Sequence, residues 1–375
     1  MKKRIIEIFV VVLLVVGAIF MGISSSKTGN VIKVGFIGPL TGDASPYGVP
    51  VKQGIELALK DSISKGLIKD GQIQIIYEDG KCDGAESVKA AQKLINIDKV
   101  KVIFGGQCST ETLAIAPIVE QNKVLLISSF STSPDVTKAG DFVFRIPPSD
   151  ENSGRFIATT MVNDGFKNIG IVSEQAIAAQ TIIPVFENKT KELGANLTYN
   201  ESLAFNSNDV YTIATKIKSA NPDALYLNVQ TGASGSKLTK QLRDLGYRGQ
   251  IYTYFISGDD FVKSGSWVNG VKIIDFQAAK DSNTLDKFNK SFVSLFGAEP
   301  SYPFGATLGY DTGSIIFEAM SKVGNNPEKI RDYLYNMPSR SSVTGNLSFD
   351  KNGDPIGNDV YYVRQIVDNK LIDLK

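Results

Sequence analysis

Short apolar runs alternate along this chain with stretches in which apolar residues recur every three or four positions. Runs of four to eight apolar residues bounded by turn formers predict buried strands, and the helical recurrence predicts amphipathic helices. The first pair is a strand over residues 31–37 and a helix over 51–65, in which Val51, Ile55, Ala58, Leu59 and Ile63 share one stripe. The rhythm continues with strands at 72–77, 100–104, 124–127 and 142–146, and with helices at 86–97 and 110–121. Such alternation predicts a parallel, doubly wound sheet with helices on both faces.

Pro147-Pro148-Ser149-Asp150 interrupts the pattern, which then restarts. Helices are predicted at 151–162, 184–193, 210–219 and 236–245, and strands at 169–172, 197–205, 224–228, 250–254 and 274–277. Three further helices follow at 285–296, 308–323 and 327–336. A hairpin-like segment at 349–357 turns on Asp350-Lys351-Asn352-Gly353, and a last strand runs over 360–367. A chain this long exceeds what one core usually serves. The predicted fold class is α/β, with two doubly wound parallel-sheet lobes joined by several crossovers. The first lobe takes residues 31–148 with 278–355, and the second 149–277 with 356–375.

The chain opens Met1-Lys2-Lys3-Arg4, is almost wholly apolar from Ile8 to Ile23 and turns polar at Ser24. A basic start followed by such a stretch is an export leader. Residues 1–30 are therefore read as a signal peptide or N-terminal anchor plus linker, with cleavage and retention both open. No cysteine directly follows the apolar run, which excludes a lipid at a leader cysteine. The remainder is expected outside the cytoplasm, in the periplasm or at the cell surface, where disulfides persist.

Charge and composition then narrow the function. There are 40 basic and 39 acidic residues; residues 1–30 hold four bases and one acid, leaving 36 bases and 38 acids beyond them. With no basic surplus and no basic runs interleaved with aromatics, nucleic acid is excluded as a partner. Histidine is absent. That removes Ser-His-acid triads, Cys-His pairs and imidazole zinc sites. No Gly-x-Ser-x-Gly elbow, P-loop or Gly-x-Gly-x-x-Gly follows a predicted strand, so neither enzymatic activity nor a cofactor is expected. A serine-type hydrolase would need a lysine or carboxylate as its base.

Cys108 lies in the run Val102-Ile103-Phe104-Gly105-Gly106-Gln107-Cys108-Ser109-Thr110, where a strand breaks at a glycine pair and a helix begins. Glycines there let the backbone approach a guest, Ser109 offers a hydroxyl, and the N–H groups opening the helix favour an anion such as a carboxylate. Cys82, the other cysteine, is 26 positions away. A bridge between them would tie two neighbouring strand ends beside this cradle and contribute about 3 to 4 kcal/mol; two unrelated buried thiols are the other reading.

Ligands in α/β sheets sit beyond the carboxyl ends of strands. Three loops are expected there: Gly38-Pro39-Leu40-Thr41-Gly42 with Tyr47-Gly48, Gly106-Gln107-Cys108-Ser109, and Ile127-Ser128-Ser129-Phe130-Ser131-Thr132-Ser133-Pro134. With Tyr77-Glu78-Asp79, Gly309-Tyr310-Asp311 and Thr344-Gly345-Asn346-Leu347-Ser348-Phe349-Asp350, their order and spacing resemble the leucine/isoleucine/valine-binding family of extracytoplasmic solute receptors. The resemblance covers essentially the whole chain after residue 30. It implies a type I periplasmic-binding fold whose lobes close on a small amino acid or related carboxylate and present it to the permease subunits of an ABC importer.

The resemblance further implies that Ser109 and the segment Phe130, Ser131, Thr132 hold the ligand carboxylate, and that Tyr47 supplies an aromatic wall. Gln230, with Thr231 beside it, and Phe255 are the expected second-lobe contacts. Two positions depart from the family pattern. Ala178-Ala179 stands where an aromatic and a glycine are usual, and Phe255 stands where a carboxylate meets the ligand ammonium. Either Asp259 or Asp260 substitutes for that carboxylate, or the ligand lacks an amine. A membrane-anchored ligand-sensing receptor of the same fold is the alternative function.

Overall fold

The computed structural model describes residues 31–204, 207–254, 258–276, 282–357 and 361–374. The predicted leader, Phe255 and the 277/278 boundary lie outside the described residues.

The first sheet is built from strands β1 (Ile32–Gly38), β2 (Ile73–Asp79), β3 (Val102–Phe104), β4 (Leu125–Ser128) and β5 (Val143–Arg145), in the order β2-β1-β3-β4-β5. Every pairing in it is parallel. Its central strands are buried on both faces, which is why Leu125-Leu126-Ile127 reads as a continuous apolar run. Helices α1 (Ser45–Ser64), α2 (Gly84–Asn96) and α3 (Ser109–Asn122) connect the first four strands.

After α4 (Asp150–Asn163) the same plan is repeated. Strands β6 (Asn168–Glu174), β7 (Asn196–Leu203), β8 (Ala224–Asn228), β9 (Gln250–Tyr254) and β10 (Lys272–Phe276) alternate with α5 (Ile177–Glu192), α6 (Tyr211–Ala220), α7 (Gly232–Asp244) and the short α8 (Asp259–Val262). The parallel order β7-β6-β8-β9-β10 repeats that of the first sheet.

The chain then returns to the first sheet through α9 (Ser282–Phe296), α10 (Pro303–Val323), α11 (Pro327–Asn336) and a ribbon of β11 (Arg340–Ser342), β12 (Gly345–Phe349) and β13 (Pro355–Ile356). Leu308, Phe317, Leu334 and Leu347 share one core with Phe36 and Phe104. Helices α1 and α10 approach so closely that a Cβ on Gly54 would lie 2.1 Å from the carbonyl oxygen of Ala306. Finally β14 (Tyr361–Val367) and β15 (Lys370–Asp373) add an antiparallel edge to the second sheet, where Ile366 joins the core of Leu225, Leu227 and Ile251. Among the described residues no helix is long and apolar enough to cross a membrane.

Four helices start four or more residues earlier than the periodicity predicts: α1 at Ser45 rather than 51, α5 at Ile177 rather than 184, α7 at Gly232 rather than 236 and α10 at Pro303 rather than 308. An apolar stripe appears only where a helix covers its sheet, and these first turns do other work. Pro46 and Pro303 occupy the opening positions that proline favours. Pro184, read from sequence as a start, instead lies inside α5.

Candidate functional site

In each sheet the strand order reverses between the first and third strands of the repeat, the point at which α/β sheets open a crevice. The segments leaving β1 and β3 and those leaving β6 and β8 line one cavity of about 290 Å³. Helix starts surround it. Ser109 and Thr110 open α3, Ala176 and Ile177 open α5, and Thr231 caps α7. The unpaired amides of a helix's first turn carry partial positive charge, so starts from both sheets favour an anion between them.

The wall at α3 is held in place by buried chemistry. Cys82 and Cys108 form a disulfide with a Cα–Cα separation of 5.4 Å, inside the ordinary range. Glu111 sits at the third helical position and completes a capping box with Cys108. Its carboxylate accepts from the amides of Gln107 (2.8 Å), Cys108 (3.0 Å) and Cys82 (3.0 Å), pinning both sides of the bridge. Burial pushes the Glu111 carboxyl up to about 7, against the pull of those amides.

The glycine pair serves this packing and not a guest. A Cβ on Gly105 would lie 2.0 Å from the Ile37 carbonyl oxygen, and one on Gly106 would lie 2.3 Å from Glu111 Cβ. That corrects the expectation of a glycine cradle open to ligand. Ser109 Oγ accepts from the Ser133 amide at 3.1 Å, leaving its own proton to donate. No lysine or carboxylate is hydrogen-bonded to it among the described residues.

The 128–133 loop is fixed from below. Ser131 is fully buried; its hydroxyl bonds that of Thr112 at 2.7 Å and donates to the Gly106 carbonyl at 3.1 Å. It therefore ties the loop to the α3 entry and is not part of the cavity wall. Thr132 does line the cavity, and its hydroxyl donates to Asp150 Oδ2 at 2.6 Å. Arg145, with no exposed surface, donates to the Ser133 carbonyl at 2.8 Å and pairs with Asp354 at 2.7 Å. Burial raises the Asp150 carboxyl to about 6, while Thr132, Arg145, Ser153 and Tyr254 pull it back.

Aromatic rings close another side. Tyr47 lies 5.7 Å from Phe130 and 5.5 Å from Tyr302, centroid to centroid. The Tyr47 hydroxyl feels the Gly232 amide at the start of α7 as well as Asp260 and Glu174, so this ring reaches from the first unit to the second. Burial, with Asp260 and Glu174 nearby, holds its phenol well above its ordinary value. Opposite, the Gln230 amide donates to Glu174 Oε2 at 2.6 Å, and the Thr231 hydroxyl caps α7 by accepting from the Ser234 amide at 3.1 Å.

Of the residues expected from sequence, Tyr47, Ser109, Phe130, Thr132 and Gln230 meet at this cavity, beside the Cys82–Cys108 bridge. Phe255 lies outside the described residues, as does the side chain of Asp259. Asp260 is exposed, over Gly232 and outside the cavity wall. The carboxylate that does line the wall, Asp150, was read from sequence only as part of a domain break. Gln107 lies in an expected loop without being singled out there, and Gln175 and Tyr254 were missed.

A family described as periplasmic binding protein matches residues 31–370. The Leu/Ile/Val-binding protein of Escherichia coli is 26% identical over 348 residues, covering 91% of this chain and 92% of that protein. Among solved structures, a leucine-binding protein from Thermotoga maritima superposes with a TM-score of 0.81 at 26% identity, covering 92% of this chain and 98% of that one. A solute-binding protein of an ABC transporter from R. palustris, in complex with benzoate, gives 0.82 at 21% identity, covering 92% and 96%, and shares the fold.

Proposed function

Since the chain belongs to the periplasmic binding protein family, we propose that it is the extracytoplasmic solute-binding component of an ABC importer, closing two lobes over a small amino acid or related carboxylate. The lobes are taken as residues 31–148 with 278–355 and 149–277 with 356–375. One observation carries the reading: a single cavity walled by helix starts from both sheets, with the Ser109 hydroxyl at one of them. Ser109 and the first-turn amides of α3 supply donors for a carboxylate, Tyr47 and Phe130 pack its apolar part, and Gln230 completes the site when the lobes shut. Closure follows from the extra contacts available only in the shut form. The names of the relatives, which bind branched-chain amino acids or benzoate, agree with a small acid.

The test is thermal unfolding of residues 31–375 with a panel of amino acids, their deaminated keto acids and aromatic acids. A ligand at about a hundred times its dissociation constant adds about 2.7 kcal/mol. Stabilisation by a panel member that Ser109→Ala abolishes supports the reading; a flat response across the panel sinks it. Retention of the apolar 8–23 segment would make the chain a membrane-anchored form of the same receptor, which fractionation with the native mass decides.

A further inference from the structure

We infer that Gln107 selects for a solute carrying an oxygen acceptor on the part of the molecule remote from its carboxylate: the side-chain amide of Gln107 presents a donor in the cavity wall that an apolar tail cannot satisfy. The inference deepens the solute-binding reading above and rests on it.

Gln107 follows β3, two positions ahead of Ser109, is 1% exposed and belongs to the cavity wall. Its backbone amide is held by Glu111 Oε2 at 2.8 Å. Its side chain crosses the end of β1, where Gly38 leaves room for it: a Cβ on Gly38 would lie 2.6 Å from Gln107 Cγ. On the far side the Ser129 amide donates to Gln107 Oε1 at 3.1 Å. Ser129 is fixed in turn, its hydroxyl bonding that of Thr312 on α10 at 2.8 Å. Both ends of the Gln107 side chain are therefore set by the fold.

The Ser129 bond also decides which way the amide faces. A backbone N–H must meet an oxygen, so Oε1 is turned to Ser129, and Nε2 with its two protons is turned away. Among the described residues no oxygen or nitrogen accepts from Nε2. Buried donors are nearly always partnered, because an unmet one forfeits its hydration with no return. Lying in a cavity wall, this donor takes its partner from what the cavity holds.

Asn228, another buried side-chain amide of the wall, shows the contrast. Its Nδ2 donates to Ser173 Oγ at 2.9 Å and to the Ala179 carbonyl at 2.7 Å, while its Oδ1 accepts from the Tyr226 hydroxyl at 3.2 Å. That amide is consumed by the second sheet, whereas the Gln107 amide is only half used. On the reading above, a carboxylate is already served by Ser109 and the first-turn amides of α3. Ser129 leads directly into Phe130, which with Tyr47 packs the rest of the solute, so the Gln107 donor falls on the side of that ring pair. The matching solute is a small acid whose tail bears a carbonyl, hydroxyl or carboxamide oxygen.

Calorimetric titration of three pairs of acids tests this: 4-methylpentanoate against 4-oxopentanoate, leucine against asparagine, and 4-methylbenzoate against 4-hydroxybenzoate. Within each pair the carboxylate and the outline are kept, and an oxygen takes the place of a methyl group. In any pair that the wild type binds, the oxygen-bearing acid should be at least about tenfold tighter, since the methyl compound leaves the Gln107 donor unmet. Gln107→Met keeps the volume and removes the donor, and should erase or reverse that preference. Were Gln107 only a support for the Ser129 loop, the variant would weaken both members alike and leave their ratio unchanged, and that result overturns the inference. Equal wild-type affinity within a bound pair, or preference for its methyl member, overturns it too and leaves the solute-binding reading standing. Should Gln107→Met not fold, Gln107→Glu, which keeps the acceptor for Ser129 and replaces the donor with an oxygen, should show the same loss, and the wild-type ratio stands by itself. Failure of all six acids to bind wild type overturns the solute-binding reading and this inference together.

Discussion

Removing the carboxylate of Asp354 should destabilise the protein by about 3 kcal/mol. Arg145 is wholly buried, and its Nε and Nη2 donate to the two Asp354 oxygens at 2.7 and 2.9 Å. The same guanidinium reaches Thr137 Oγ1 at 2.7 Å and the Ser133 carbonyl at 2.8 Å. Deleting one partner of such a pair leaves an uncompensated buried charge and costs about 3–5 kcal/mol. The lower end applies because the Asp354 side chain is 16% exposed, so water can partly replace it. Urea unfolding of Asp354→Ala, Arg145→Met and the double variant gives the cycle that isolates the pair. The double variant should be more stable than Asp354→Ala alone, since it removes the stranded cation. Because Arg145 also holds the carbonyl next to Thr132, Asp354→Ala should weaken ligand binding as well. A cost below about 1 kcal/mol, or strict additivity of the two single changes, would refute the reasoning by showing that the guanidinium is solvated without its partner.

Replacing Cys82 and Cys108 with serine should lower unfolding free energy by about 3 to 4 kcal/mol in urea, from the entropy of the opened loop. Gly54→Ala forces a Cβ to within 2.1 Å of the Ala306 carbonyl oxygen, and calorimetry should show a loss of about 1–3 kcal/mol. Tyr47→Phe removes the hydroxyl that the Gly232 amide at the start of α7 acts on, and stopped-flow release should quicken about twofold to tenfold with association unchanged. Glu111, raised from 4.5 to about 7, holds its proton more tightly folded than unfolded. Its contribution is complete below 4.5 and is lost as pH rises through 7, so urea midpoints should fall between about pH 5 and pH 8 and flatten in Glu111→Gln.

The repeated α/β plan was legible because its strands are short and doubly buried and its helices carry one apolar stripe against a sheet. Helix starts were less legible: Ser45, Ile177 and Gly232 open turns that face the cavity or its rim, where no stripe is required. Within the site, Tyr47, Ser109 and Thr132 stood out through their loops and the family resemblance. Ser131 shares that loop, yet its hydroxyl bonds Thr112, a contact 19 positions away that local pattern cannot reveal. Asp150 ends the run Pro147-Pro148-Ser149-Asp150, which reads in sequence only as a break between the two sets of elements. Its bond to Thr132 and its burial against Tyr226 and Tyr254 arise only when both sheets are assembled.

Each helix start carries roughly half an elementary positive charge, and α3 shares its cavity with the starts of α5 and α7. Like poles facing each other push apart, so on the proposed reading the cleft carries a built-in recoil. An anion held between them would act as mortar, and its departure would re-arm the opening with no energy source beyond the fold itself. Dilute buffer, which screens less, should then hold the ligand-free protein wider than concentrated salt does.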